Sequence, residues 1–522
     1  MKHPRQHPAS RRTPARAAFT RWSTALLAAL SVTAVALLAA APAVAVPDSD
    51  AERARGLWPA QLWDLDNLRE SGATGAGVKI AVIDTFVNPD APELAGANLQ
   101  VRGTTCVDPD SGEPRQIVSD DPAQAAHGTN VVSMLVGNGV AGDGGLGARG
   151  IAPKAEVWFY GVGDLDQAGS DQCKLQDPTV EEGGIDLAHD IRWDGAAVVN
   201  NPKGIGDPLS LAARAAIRDG ADVVSISTLG GAAAAWDQVM FESLIAEVPV
   251  FVGVLNPDAG FALYGGPFAH NGAFPINAIQ EDGELLSEPE TGATSSGEFN
   301  VALAAPGHDL LGVGGSDGWG PRLISGTSYA TPLAAGAAAL GMQKYPDASP
   351  FQVTQAMLRT TGSGGVHEIE RAQDQLGAGD LNVMEMLKAD PSQFPDENPQ
   401  WVTSLDDPRC VFDGKPGYIA DNGQVMCGWS SGPFVEGYEK YRAAYVDGEP
   451  IVDLGEVQAT PYTTQPLDEE PVRVAESAGV SPLMVALVVV GVLVLLGGIA
   501  VAIVLVVVSR RRKREREQAT TY

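Results

Sequence analysis

Residues 78–84 have the sequence Val-Lys-Ile-Ala-Val-Ile-Asp, a short run of mostly β-branched residues that follows Gly75 and Gly77. A continuous apolar run of this length after glycines predicts a β-strand that is buried on both faces. Strands of that kind are typical of parallel sheets, in which helices cover both sides. The run ends in an acid, Asp84, so the sequence predicts a carboxylate at the end of a buried strand.

Strand-like and helix-like segments alternate after this first run. Strands are predicted at residues 157–160, 223–227 and 249–255, and helices at 209–218 and 236–246. Alternation of this kind predicts an α/β fold, a parallel sheet covered by helices on both faces. Ligands of such sheets bind at the carboxyl ends of the strands. We therefore expect the functional residues to lie at these ends.

The charge of the chain excludes one class of function. Its 522 residues contain 35 Lys and Arg against 65 Asp and Glu, a formal net charge of -30. Both termini are basic, so the acidic excess lies between them. An acidic surface repels nucleic-acid phosphates, and we expect no nucleic-acid partner. The acidic residues favour solubility, with recognition of a basic substrate as the alternative.

The N-terminus has the pattern of a secretory signal peptide. Six basic residues precede an apolar, Ala- and Leu-rich stretch that ends in Ala43-Val44-Ala45. We expect cleavage after Ala45, which makes residues 1–45 the signal peptide. An uncleaved anchor and a twin-arginine route through Arg11-Arg12 are the alternatives. Residues 46–77 then form an N-terminal extension.

A second apolar segment lies near the C-terminus. Residues 483–508 contain no charged side chain, and as a helix they would extend about 39 Å, enough to cross a bilayer. A buried helix of a soluble domain is the alternative, but the segment has no polar face. Six basic residues follow within 509–522, and such clusters stay in the cytoplasm. We expect a single-pass protein of the cell membrane with its main domain outside and residues 509–522 inside.

Four cysteines in an exported chain favour disulfides over metal or redox chemistry. Three pairings are possible. We prefer Cys106 with Cys173 and Cys410 with Cys427, because each pair lies in one region of the chain. No zinc-type spacing occurs, and no loop has the regular oxygen ligands of a calcium site. We therefore expect no metal and no cofactor.

Three short segments supply the groups of a serine nucleophile and its activating base. They are Asp84 at the end of the first strand, His127 in Ala-His-Gly-Thr, and Ser328 in Gly-Thr-Ser-Tyr-Ala-Thr-Pro. A serine hydroxyl is a poor nucleophile until a base takes its proton, and a buried carboxylate must hold that base in one tautomer. The Ala-rich stretch at 330–340 predicts a buried helix, so Ser328 would lie at a helix N-terminus, where free N–H groups favour a developing oxyanion.

These segments, in this order, resemble the subtilisin-like serine proteases, the subtilases. The resemblance covers about residues 58–387 and includes Gly-Ile-Ala-Pro at 150–153, Ala-Pro-Gly at 305–307 and Leu-Gly-Ala-Gly at 376–379. It implies a peptidase domain at 78–390, followed by an accessory region at 391–460 and a linker at 461–482.

The resemblance also implies roles for single residues. Ser328 would be the nucleophile, His127 the general base and then acid, and Asp84 the residue that orients His127. Asn256 matches the family's side-chain donor to the oxyanion. Leu229 and Gly230 match the rim that pairs with substrate, although an ordinary turn after a strand is an equal alternative. Phe86 stands where the family usually has glycine.

The layout of signal peptide, protease domain, single C-terminal span and basic tail resembles the mycosins, the membrane-anchored proteases of type VII secretion systems. The resemblance implies a membrane-anchored extracellular endopeptidase that acts on protein or peptide substrates, with secretion-complex proteins as partners. The alternative is a catalytically spent or regulatory structural component of a membrane secretion complex. A third alternative is a surface binding module that uses residues 410–445.

Overall fold

A computed structural model describes residues 49–104, 106–107, 116–163, 174–175, 208–228, 233–257, 267–296, 301–369 and 375–402, together with five short strands between 411 and 432. All of them belong to one compact unit, Met1–Asp468. The predicted signal peptide, linker, membrane span and basic tail lie outside the described residues. Within the described ranges, no helix combines the length and apolarity that crossing a membrane requires.

A parallel sheet of seven strands forms the centre of the fold, and the predicted α/β class is confirmed. Neighbouring strands run in the same direction throughout. In chain order the strands are β1 (Lys79–Asp84), β2 (Asn98–Thr104), β6 (Glu156–Gly161), β8 (Val223–Ile226), β9 (Val250–Gly253), β10 (Phe274–Ile279) and β11 (Leu303–Pro306). Their spatial order is β11-β10-β9-β8-β1-β6-β2.

Strand β1 lies at the point where the order of the sheet reverses. The strands that follow it directly, β2 and β6, lie on one side, and β8 to β11 lie on the other. Open α/β sheets bind ligands at such switch points, outside the carboxyl ends of the strands. The end of β1 and the end of its neighbour β8 are therefore the expected position of a site.

The sequence of β1 explains why it occupies the middle of the sheet. Ile80 and Val82 belong to one hydrophobic core, and Ala81 and Ile83 belong to the second core on the opposite face. All four are fully buried. Because successive side chains of a strand point to opposite faces, an uninterrupted apolar run suits only a strand that is covered on both sides.

Helices cover both faces, as the alternation predicted. In chain order they are α1 (Asp50–Arg55), α2 (Trp58–Leu62), α3 (Leu65–Glu70), α4 (Pro122–Val136), α5 (Pro208–Arg218), α6 (Ala233–Ala246), α7 (Thr327–Lys344), α8 (Pro350–Arg359) and α9 (Val383–Lys388). Residues of α4 and α7 belong to one core, and residues of α5 and α6 to the other. The predicted helices and strands are confirmed with shifted ends: the strand expected at 249–255 ends at Gly253.

The remaining described strands form separate antiparallel pairs and one three-stranded antiparallel sheet. They are β3 (Cys106–Val107), β4 (Asn138–Val140), β5 (Leu146–Arg149), β7 (Lys174–Leu175), β12 (Leu310–Gly315), β13 (Gly318–Ile324), β14 (Val411–Phe412), β15 (Lys415–Pro416), β16 (Tyr418–Ile419), β17 (Val425–Cys427) and β18 (Ser430–Gly432). Cys106 pairs with Leu175 across the β3–β7 ladder. Cys173 and Cys410 lie outside the described residues, so both disulfide pairings stay predictions.

The segments that flank the predicted protease domain pack onto it. In the N-terminal extension, Trp58 donates its indole N–H to the carbonyl of His308 at 2.9 Å, and Trp63 donates to the carbonyl of Leu381 at 3.3 Å. Both indoles are buried. Beyond residue 390, Asn398 donates to the carbonyl of Gly272 at 2.8 Å. Large buried aromatic side chains contribute strongly to stability, so the extension is part of the folded domain.

A buried carboxylic acid, Glu93, lies near Arg53 of the N-terminal extension. Glu93 is 2% exposed, and its Oε1 has no hydrogen-bond partner among the described residues. Arg53 of α1 forms an ion pair with the nearby Asp143, with 2.9 Å between Nη1 and Oδ1. Burial raises the pKa of Glu93 to about 7, and the Asp143 carboxylate adds to the rise.

This shift makes stability depend on pH in a defined direction. The folded state holds the Glu93 proton more tightly than the unfolded chain, whose pKa is near 4.5. The contribution of Glu93 to the free energy of unfolding is therefore complete below that value and is lost as the pH rises through about 7. We predict that Glu93→Gln is more stable than the wild type at pH 8, by about 3 kcal/mol, and similar to it at pH 4.5. Urea unfolding at both pH values measures the difference.

Glu281→Gln, at an exposed carboxylate, is the matched control and should follow the wild type at both pH values. Equal stability of Glu93→Gln and the wild type at pH 8 would contradict the prediction.

Candidate active site

The candidate site lies at the carboxyl ends of β1 and β8, where the sheet order reverses. Asp84 is the last residue of β1, and Ser227 directly follows β8. Helix α4 carries His127, and the first turn of α7 carries Ser328. Three residues that are far apart in the sequence, Asp84, His127 and Ser328, thus lie at the carboxyl ends of the central strands.

Asp84 and His127 are in direct contact. The Oδ1 atom of Asp84 lies 2.9 Å from Nδ1 of His127. The same oxygen accepts from the backbone N–H of Thr85 at 2.7 Å and lies 3.2 Å from the Thr85 hydroxyl. Asp84 is fully buried, whereas the His127 side chain is 38% exposed. This contact fixes the tautomer in which Nδ1 carries a proton and Nε2 can accept one.

Gly128 allows this contact to form. A Cβ atom at Gly128 would clash with the backbone carbonyl oxygen of Phe86 and would lie 3.2 Å from Oδ1 of Asp84. Helix α4 therefore approaches the end of β1 more closely than any larger residue would permit. Phe86 takes part in this approach through its backbone carbonyl.

Ser328 and Ser227 are joined by two hydrogen bonds in opposite directions. The hydroxyl of Ser328 donates to the backbone carbonyl of Ser227 at 2.9 Å, and the hydroxyl of Ser227 donates to the carbonyl of Ser328 at 2.7 Å. This pair ties the start of α7 to the end of β8. Tyr329 places the same turn beside the base, since its ring centroid is 5.7 Å from that of His127.

Asn256 is held with its amide group oriented. Its Oδ1 accepts from the backbone N–H of Thr327 at 2.9 Å, so the Nδ2 donors lie on the other side of the amide. Leu255, the residue before it, exchanges two backbone hydrogen bonds with Ser296. The loop after β9 is therefore fixed at Leu255 and at Asn256. The amide of Asn256 is also adjacent to Gly326, two residues before Ser328.

The sequence reasoning missed Ser227 and Thr327 as partners of the site. Thr327 lies inside the Gly-Thr-Ser motif and Ser227 ends the strand predicted at 223–227, but no pattern in the sequence shows which group either residue binds. Leu229 and Gly230, the predicted substrate rim, lie outside the described residues. Among the residues that are described, no group of three His, Cys, Asp or Glu side chains could hold a metal ion.

Comparison with known families agrees with this geometry. A family model with the description "Subtilase family" matches residues 75–379. That interval includes each residue assigned to the site above, from the aspartate of β1 to the serine of α7.

Two curated proteins illustrate the similarity. Serine protease AprX of Bacillus subtilis (strain 168) is 25% identical over 315 residues, which cover 55% of this chain and 62% of AprX. Alkaline elastase YaB of Bacillus sp. (strain YaB) is 26% identical over 347 residues, which cover 66% of this chain and 74% of the elastase. The chain thus spans less than two thirds of the length of AprX.

Solved structures are similar at lower identity. MycP1 from Mycobacterium smegmatis has 21% identity and a TM-score of 0.42, and the match covers 67% of this chain and 88% of MycP1. MycP1 from the ESX-1 type VII secretion system has 22% identity and a TM-score of 0.43, over 66% of this chain and 88% of its own.

Gly128 provides a test of the geometry at His127. We predict that Gly128→Ala lowers kcat for a peptide substrate on the order of a hundredfold, because displacing a catalytic group by about 1 Å costs that much. Gly364→Ala is the matched control, since a Cβ there meets open space. Steady-state kinetics of both variants decide the question. Wild-type kcat in Gly128→Ala would show that the close approach is not needed.

Proposed function

Because this chain belongs to the subtilase family, we propose that it is a serine endopeptidase that cleaves peptide bonds through an acyl-enzyme on Ser328. The observation that carries the proposal is the 2.9 Å contact between His127 and the buried Asp84, beside the turn that holds Ser328. A hydrogen-bonded His and carboxylate next to a serine at a helix N-terminus is the arrangement that acyl transfer by a serine requires.

The reaction begins at the Ser328 hydroxyl. Its proton, which in the structure points to the Ser227 carbonyl, passes to Nε2 of His127 as Oγ attacks the substrate carbonyl carbon. The imidazolium that forms is stabilised by the Asp84 carboxylate. His127 then gives the proton to the leaving amine as the C–N bond breaks. Water, deprotonated by His127, hydrolyses the acyl-enzyme and restores the Ser328 hydroxyl.

The negative charge on the substrate oxygen needs donors that are already in place. The Nδ2 group of Asn256 is the side-chain donor we assign, because its Oδ1 is held by Thr327. The dipole of α7, whose positive end lies at this N-terminus, adds a second source of positive potential. Donors fixed before the reaction stabilise the transition state without reorganising, which is why they are effective.

We further propose that the enzyme is anchored in the cell membrane by residues 483–508, with its protease domain outside and its basic tail in the cytoplasm. The support is the uncharged length of this segment and the basic residues that follow it. We also propose a role in a type VII secretion system and action on the proteins that such a system exports. The support for both is the order of these segments.

Labelling with a fluorophosphonate probe tests the catalytic proposal. Such probes react with an activated serine, so we predict that the wild type is labelled and Ser328→Ala is not. Ser392→Ala, at an exposed serine, is the matched control and should label like the wild type. Labelling that persists in Ser328→Ala would refute the assignment of the nucleophile.

Failure to label the folded wild type would instead favour the second function, a catalytically spent component of a secretion complex. The hydrogen bond from Ser328 to Ser227 favours that alternative if it persists when substrate is present.

Deleting residues 483–508 tests the anchor. We predict that the full chain sediments with membranes and that the deletion variant is released into the medium, because no other segment after the signal peptide has a comparable apolar length. Deletion of residues 461–482, the predicted linker, is the control of similar size and should leave the chain in the membrane fraction. Membrane retention of the first variant would contradict the proposal.

A further inference from the structure

Tyr329 directly follows the proposed nucleophile and contacts the proposed base. The centroids of the Tyr329 and His127 rings are 5.7 Å apart, and the ring planes are tilted by 42°. The backbone N–H of Tyr329 donates to the carbonyl of Gly326 at 3.1 Å. The aromatic ring is therefore attached to the same rigid turn that carries Ser328.

The side chain of Asn130 lies near the phenol of Tyr329. This asparagine follows His127 by three residues on α4, so the two side chains lie on the same face of the helix. Asn130 is itself fixed, since it donates to the carbonyl of Gly314 at 2.8 Å and accepts from the N–H of Val313 at 2.7 Å.

The environment keeps the phenol neutral. Burial raises the pKa of Tyr329, and the negative charge of Asp84 raises it further. Tyr329 therefore does not compete with His127 for a proton at the pH values at which an imidazole titrates. A neutral aromatic ring within about 6 Å of a cation stabilises that cation through its quadrupole.

We propose that Tyr329 is a positioning residue that fixes the plane of the His127 imidazole and stabilises the imidazolium during catalysis. The hydrogen bond to Asp84 holds one nitrogen of a side chain that is 38% exposed. This bond and the attachment to Cβ lie on the same side of the imidazole, so the tilt of the ring plane depends on what packs against the ring. Contact with a second ring restricts this rotation and directs Nε2 toward Ser328.

The role in catalysis rests on the proposed function, but the restraint on His127 does not, so the two are tested separately. The kinetic arm compares Tyr329→Phe, which keeps the ring, with Tyr329→Leu, which removes it, in the full-length chain. We expect Tyr329→Leu to lower kcat at least tenfold with KM within twofold, as loss of orientation predicts. Tyr329→Phe should stay within about threefold of the wild type, since the ring remains.

Tyr345→Phe is the matched control, because Tyr345 follows the same helix and donates to the carbonyl of Leu387, away from His127. Melting temperatures separate a local effect from unfolding. If Tyr329→Leu does not fold, Tyr329→Met replaces it as a flexible side chain without a ring. The proposal is overturned if Tyr345→Phe loses as much kcat as the folded variant without the ring. It is also overturned if the variant without the ring keeps the wild-type kcat.

The second arm does not need activity. Proton NMR of Ser328→Ala and of the Ser328→Ala, Tyr329→Leu double variant follows the Nδ1 proton shared with Asp84 and the pH titration of the imidazole. We expect the double variant to broaden or lose the Nδ1 signal and to shift the titration midpoint downward by about half a pH unit. Identical spectra and midpoints overturn the proposal even if the wild type is an active protease. The expected shift supports the restraint even if no probe labels the enzyme.

Discussion

A buried negative charge at the end of β1 sets the arrangement of the whole site. Asp84 has no exposed surface, and an ion in that position is stable only when hydrogen bonds and neighbouring charge replace the lost water. Thr85 supplies the local donor and His127 supplies the distant one. The carboxylate thus draws α4 against the sheet, and Gly128 is the residue that lets the helix come close enough.

The second half of the site is built by the strand next to β1. Ser227 at the end of β8 and Ser328 at the start of α7 exchange hydrogen bonds, so the nucleophile is attached to the same sheet that carries Asp84. Because β1 and β8 are paired in register, strand spacing sets the separation between Asp84 and Ser227, and the hydrogen bonds of Ser227 then hold the start of α7 at that position. Groups held on paired strands keep their geometry, which catalysis by orientation requires.

Much of the fold could be predicted from the sequence, because the apolar run of β1 and the alternation after it reflect local periodicity. Three short motifs were also enough to predict that Asp84, His127 and Ser328 belong to the candidate site. The contacts of Ser227, Tyr329 and Asn130 could not, although Tyr329 lies inside one of these motifs and the other two lie beside a motif or a strand end. Their contributions are contacts across the fold, to a carbonyl or a ring that is distant in the chain, and periodicity carries no information about such contacts.

The sequence by itself determined the strand and helix order, the acidic character of the chain and the presence of an aspartate, a histidine and a serine in the order typical of subtilases. These are properties of residues and their neighbours, which hydrophobic patterning and side-chain chemistry fix directly. Only the tertiary structure decided that the missing side chain of Gly128 lets α4 approach the end of β1. The same holds for the contact of Thr327 with Asn256 and of Tyr329 with His127. Each of these depends on the distance between segments that meet only after the sheet and its helices have packed.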